Sequence, residues 1–117
     1  SDNNILAVGK TLADPKNFGK TFMELMNSDF LKQRRDGVEI SVEEAEIAKS
    51  LRESKNSLSH VWGKIIQLGY APTKFADSFA IAAGGTPFYI NRTKTYEAQG
   101  FSNAEAKQKA FDDFRML

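Results

Sequence analysis

The chain has 117 residues, sixteen of them basic and fifteen acidic, with one histidine and no cysteine. That length suits one domain with one core, and burying about two thirds of the unfolded surface lets it fold without staples. The composition excludes a disulfide framework, a thiolate nucleophile and cysteine-ligated zinc. The charge balance excludes a global field that would draw in nucleic acid or an anionic membrane.

The first predicted helix begins at Asp14-Pro15, an N-cap followed by proline at the first helical position, where a missing N–H does no harm. Phe18, Phe22, Leu25 and Met26 recur at helical spacing and carry it to about Asn27, with Gly19 weakening it by about 1 kcal/mol. Residues 5–13 read equally as a short helix or an extended lead-in. Asp29 to Asp36 reads as a charged turn or helical end, stopped by Gly37. Val38, Ile40 and Val42 alternate with polar residues as a strand would, yet no second run offers a partner. Ser41 and Glu44 form a capping box, so the reading preferred is a helix from Val42 to about Ser54. It would bury Ala45, Ala48 and Leu51, with Ile47 at the stripe's edge.

Asn56 or Ser57 caps the next helix. Its apolar face is Leu58, Val61, Trp62, Ile65, Ile66 and Leu68, and Gly69 in the left-handed position ends it before Pro72. From Thr73, a helix at the centre of the bundle carries Phe75, Ala76, Phe79, Ala80, Ala82 and Ala83, small residues that admit a close neighbour. Gly84-Gly85 is expected to break this helix at a sharp corner, and Thr86-Pro87 to restart a new one bearing Phe88, Tyr89, Arg92 and Tyr96. Gly100 ends that segment. Ser102 and Glu105 then form a second capping box, Phe101 is placed to staple against Ala106, and Ala110, Phe111 and Phe114 complete the last stripe. The sum is an all-α, single-domain bundle of five or six helices spanning residues 1–117. The opening without Met and the close on Phe114-Arg115-Met116-Leu117 read as a piece cut from a larger protein. No run of eighteen apolar residues and no basic leader before an apolar stretch is present, so no membrane span is expected.

Few chemistries are available. His60 stands alone, so no histidine-based metal cluster can be assembled, and its plain reading is a partly exposed helix residue. Glu43, Glu44 and Glu46 sit where a helix dipole favours acids, and they and Asp112-Asp113 look solvated rather than tuned for proton transfer. Gly84-Gly85-Thr86-Pro87 precedes a predicted helix start, where bare N–H groups could face an anion. It lacks the phosphate-loop pattern, and Pro87 removes a donor, so a corner is the preferred reading. Lys32, Arg34 and Arg35 form one small basic cluster, and Arg92 and Lys94 with Tyr89 and Tyr96 a second. Cations interleaved with aromatics can hold phosphates and stack bases, while a solvated face with an arginine bracing a helix contact is the plainer alternative.

Residues 78–114 (SFAIAAGGTPFYINRTKTYEAQGFSNAEAKQKAFDDF) carry a Phe-Ala-Ile-Ala helix, a Gly-Gly corner, an aromatic pair, Asn-Arg, and a final Ala/Glu/Lys helix ending in Phe-x-x-Phe. With residues 26–37 (MNSDFLKQRRDG), this resembles the helical "large polyvalent protein-associated" domains of giant multidomain bacteriophage and mobile-element proteins. Ile90 departs from the arginine typical after the aromatic pair. The resemblance implies a setting in a phage or prophage polyprotein, cytoplasmic or virion-associated, and transfers no catalytic residue. The resulting expectation is a non-catalytic interaction or scaffold module with no cofactor or metal. Its contacts would be other domains of the same polypeptide or further copies, through an apolar face including Phe30, Tyr70 and Phe88. The alternatives are a nucleic-acid contact module using Lys32, Arg34, Arg35, Arg92 and Lys94, and a helical subdomain of an enzyme completed outside this chain.

Overall fold

Asp14 accepts a hydrogen bond from the Asn17 N–H at 3.1 Å, and Pro15 opens helix α1 (Pro15–Met26) as expected. A computed structural model describes residues 14–53 and 58–117, and the residues between and before these, including the proposed caps Asn56 and Ser57 and the lead-in at 5–13, lie outside it. After α1 come α2 (Asp29–Lys32) with a 3-10 turn at Gln33–Arg35, α3 (Glu44–Glu53), α4 (Ser59–Gln67), α5 (Pro72–Ala98) and α6 (Asn103–Arg115). Among the described residues there is no strand, and the fold is an all-α bundle. Among the described residues, no helix is long and apolar enough to cross a membrane.

One face of each short helix faces a common core. Phe18, Phe22, Leu25 and Met26 of α1 are buried with Ile47 and Leu51 of α3, Val61 and Ile65 of α4, and Phe75 and Phe79 of α5. Phe79 is its hub, meeting the Phe22 ring edge-on at 5.4 Å and the Trp62 ring at 5.0 Å. Such pairs add about 0.5–1.5 kcal/mol each beyond area burial. Gly19 costs helix propensity but serves packing. A Cβ there would sit 2.8 Å from the Glu44 carbonyl oxygen, so glycine is what lets α3 approach α1.

The helix ends follow the expected punctuation. Gly69 (φ 94°) and Gly100 (φ 100°) adopt the left-handed conformation. After each, the chain closes a paired turn: Gly69 and Tyr70 donate back to Ile66 and Ile65, Gly100 and Phe101 to Glu97 and Tyr96. Phe101 packs edge-on against Tyr96 at 5.9 Å, the apolar contact that accompanies this motif. Ser102 caps α6, accepting from the Glu105 N–H at 3.2 Å, while its hydroxyl donates to the Glu105 carboxylate at 2.9 Å. Ser102→Ala should therefore cost about 1 kcal/mol, read as a lower urea midpoint at unchanged slope.

Two expectations are corrected. The helix predicted from Val42 begins at Glu44, and residues 38–43 form no regular secondary structure. Ile40 and Val42 are buried in that run, while Ala45 is exposed and Ile47 takes its place in the α3 stripe. An irregular segment needs partners for its backbone, and side chains supply them. The Asn27 amide donates to the Ile40 carbonyl and accepts from its N–H, both at 2.9 Å, as a neighbouring strand would. Ser41 N–H donates to the Tyr70 hydroxyl at 3.3 Å, so the serine is used here rather than in a capping box with Glu44.

The second correction is larger. Gly84-Gly85-Thr86-Pro87 makes no corner, because α5 continues through it as a single helix of 27 residues. Pro87 withholds the N–H that would bond the Ala83 carbonyl, a defect of about 3 kcal/mol or more in an isolated helix. Packing on opposite parts of α5 outweighs it, since α1 and α6 both lie along this helix. Thr86 and Thr93 are buried by turning their hydroxyls back to the Ala82 and Tyr89 carbonyls at 2.7 and 2.8 Å. Gly85 faces Phe114 of α6, and Gly84 faces solvent.

Candidate functional site

The first basic cluster is dispersed by the fold. Lys32 lies 3.6 Å from Glu39 and 3.9 Å from Asp29. Arg34 grips Asp77 of α5 with two nitrogens, at 2.7 and 3.3 Å, which holds the Asp77 carboxyl below its ordinary range. Arg35, a phosphate contact only in the nucleic-acid alternative, is 1% exposed and points inward. It donates to the carbonyls of Met26 (2.6 Å) and Val38 (2.7 Å) and lies over the Phe75 ring at 5.1 Å. A guanidinium so enclosed cannot meet nucleic acid without unfolding the 3-10 turn, so the triplet Lys32, Arg34, Arg35 is not one surface.

The second cluster divides as well. Arg92 is stacked over Phe88 at 4.8 Å and approaches Asp113 of α6 at 3.6 Å, an arginine bracing a helix contact. Asp113 also accepts a 2.6 Å hydrogen bond from the Tyr96 hydroxyl, and that bond to a carboxylate holds the Tyr96 phenol above its usual range. The bonded, protonated phenol therefore favours the folded state below the ordinary tyrosine pKa of about 10, an advantage lost as pH rises through the elevated folded value. Asp113→Asn is expected to lower the Tyr96 titration midpoint toward the ordinary value, followed by the ring signals in an alkaline NMR titration.

The residues expected on an apolar contact face are each partly buried against a neighbouring ring or guanidinium. Phe30 is half-buried with its ring edge-on to Phe114 at 5.9 Å, Tyr70 lies on Phe75 at 4.8 Å, and Phe88 lies beneath Arg92. Among the described residues, the large hydrophobics with substantial exposure are Val38, Leu68, Met116 and Leu117. His60 is exposed on α4, and no group of acids and histidines among the described residues could hold a metal. Glu46 reaches Lys64 at 3.8 Å and Asp112 accepts from Gln108 at 3.0 Å, so these carboxylates are engaged at the surface.

What the fold does create is a crevice. α1 and α6 each pack along α5 but barely meet one another, leaving an open seam between them. Tyr89 of α5 forms part of its floor, with Glu24 of α1 and Lys107 of α6 on the two walls. Toward the start of α6 the seam encloses about 150 Å³ and is polar, bordered by Lys20, Lys94, Glu97 and Asn103. Farther along α6 it widens to about 270 Å³ and becomes mixed, with Leu25, Ala104 and Phe111 beside Lys107 and Gln108. Tyr89 is 8% exposed, and its hydroxyl is not a buried atom left without a partner, which among the described side chains is true only of Arg35 Nη1. Burial first, and then the Glu24 charge, raise its pKa, so it stays protonated and able to donate.

Of the residues singled out from sequence, Lys94 and Tyr89 border this crevice, while Lys20, Glu24 and Lys107 were missed. The signal was partial. Asn17, Lys20, Thr21 and Glu24 share a polar stripe at helical spacing on α1, but nothing in the sequence says that this stripe faces α6. No family model, no characterised protein and no solved structure matches this chain.

Proposed function

We propose that this chain is a non-catalytic helical interaction module within a larger multidomain protein, and that it works through the α1–α6 crevice rather than through a flat apolar face. The observation that carries this reading is the seam itself. Its walls stand on two helices, it joins a polar end to an end of mixed character, and the Tyr89 phenol lines both. A phenol lining a cleft can donate to an incoming acceptor. The likeness of residues 26–37 and 78–114 to phage-associated helical domains supports the setting, a phage or prophage polyprotein in which neighbouring segments supply the occupant. The nucleic-acid reading is less well supported, because Arg35 is internal and Arg34 and Arg92 are committed to Asp77 and Asp113.

Hydrogen exchange tests the proposal directly. Crevice amides on α5 and α6 should be more protected in the longer protein than in the 117-residue chain alone. Ala104→Arg, at an exposed position on the crevice wall, should abolish that difference. Equal exchange in both contexts, with no effect of Ala104→Arg, would sink the proposal.

A further inference from the structure

Three lysines on three different helices, Lys20 of α1, Lys94 of α5 and Lys107 of α6, border the crevice. Among the described residues none of the three has a carboxylate within ion-pair distance, as is also true of Lys16, Arg52, Lys109 and Arg115 elsewhere on the surface. Two acids share the lining. Glu97 is held by the Asn103 amide at 3.1 Å, and Glu24 stands on the α1 wall near Tyr89. Three ammonium groups against two carboxylates leave the crevice with one positive charge in excess. A single carboxylate matches that excess, while a dianionic phosphate would leave the site negative.

The other end of the crevice adds a second requirement. Lys107 and Phe111 are four residues apart on one face of α6, a rise of about 6 Å. An extended peptide advances about 3.3 Å per residue and points alternate side chains the same way, so positions i and i+2 span the same distance. We infer that the crevice receives an extended acidic peptide segment of the form acid–x–aliphatic, read in either direction. Its carboxylate sits among Lys20, Lys94 and Lys107, accepting from the Tyr89 hydroxyl, and its apolar side chain rests on Leu25 and Phe111. Glu24 remains free to take a backbone N–H of the segment. This inference rests on the crevice being the working surface and names what fills it.

The test is an NMR titration of the isotope-labelled 117-residue chain. The probe is the blocked peptide acetyl-Gly-Glu-Ser-Leu-Gly-amide, with analogues carrying Gln for Glu or Ser for Leu. Saturable shifts are expected at the amides of Lys94, Lys107 and Phe111, with Kd of about 1 mM. Either analogue should bind at least about threefold more weakly, Lys94→Gln should weaken the Glu peptide but not the Gln analogue, and added salt should weaken it too. Lys94 is exposed, so this variant keeps its fold, checked by an unchanged melting curve. Equal binding of the Gln analogue overturns the inference, as does the absence of saturable shifts at those amides. Stronger shifts from pyrophosphate or a DNA oligonucleotide than from the peptide overturn it as well and assign the lysines to phosphate. If the peptide fails while the longer protein still protects the crevice, the ligand class is wrong and the interaction module stands.

Discussion

Gly85→Ala is expected to destabilise the chain by about 1–3 kcal/mol, while Gly84→Ala, one residue away, should stabilise it by about 1 kcal/mol. Both lie in the interior of α5, where alanine has the better helix propensity. At Gly84 a Cβ would meet nothing within 4 Å, so only the propensity and the reduced freedom of the unfolded chain count. At Gly85 a Cβ would enter the Phe114 ring, lying 2.6 Å from one ring carbon and 3.2 Å from another. Phe114 is 2% exposed and already edge-on to Phe30 and against Phe111, so the ring has no free direction in which to turn. The contact must open between α5 and α6, the most extensive helix pairing in the bundle. Urea denaturation of the two variants decides the matter, and a matching gain for both would show that α6 yields around Phe114 at little cost. A shift of 1 kcal/mol corresponds to about 4–8 °C in Tm for a domain near this size, large enough to resolve in a thermal scan.

That pair of glycines also shows where the sequence was readable. Caps and terminal glycines are local: Asp14, Gly69, Gly100 and Ser102 act within a few residues of themselves, and each does what its position implies. Gly84-Gly85-Thr86-Pro87 carries local signals for a break, yet the decision is tertiary, since α1 and α6 clamp the helix from outside. Gly19 and Gly85 are close-approach residues for α3 and α6, which no window of neighbouring residues reveals. The irregular run at 38–43 is the converse case. Its period-two pattern is visible in the sequence, yet it forms no strand and its backbone is satisfied from a distance. The partner is Asn27, thirteen residues upstream of Ile40, acting through a side-chain amide. The crevice was legible only in fragments for the same reason. Polar stripes on α1, α5 and α6 are each apparent, and their convergence is a property of packing.

Arg35 is the residue whose loss should expose how the run at 38–43 is held. Its guanidinium donates to the carbonyls at the end of α1 (Met26) and in that run (Val38), and lies 3.4 Å from the Asn27 oxygen that receives the Ile40 N–H. Two terms oppose each other. A buried cation without a carboxylate is costly, and here burial lowers its pKa, an effect partly offset by the charge on Glu39, while Nη1 has no partner among the described residues. Against that, removing the donors orphans two carbonyls, at about 1–3 kcal/mol each, and strips packing from Phe75. We expect the orphaned carbonyls to win. Arg35→Met, which keeps most of the volume, should cost about 2–3 kcal/mol, and Arg35→Ala, which adds a cavity, about 4 kcal/mol. In both, the Ile40 amide should exchange faster while the α6 amides change only with global stability, because the Asn27 clamp loses its anchor. Should Arg35→Met prove as stable as the parent chain, the charge penalty outweighs the hydrogen bonds, and the guanidinium serves to specify the path of residues 38–43 rather than to strengthen it.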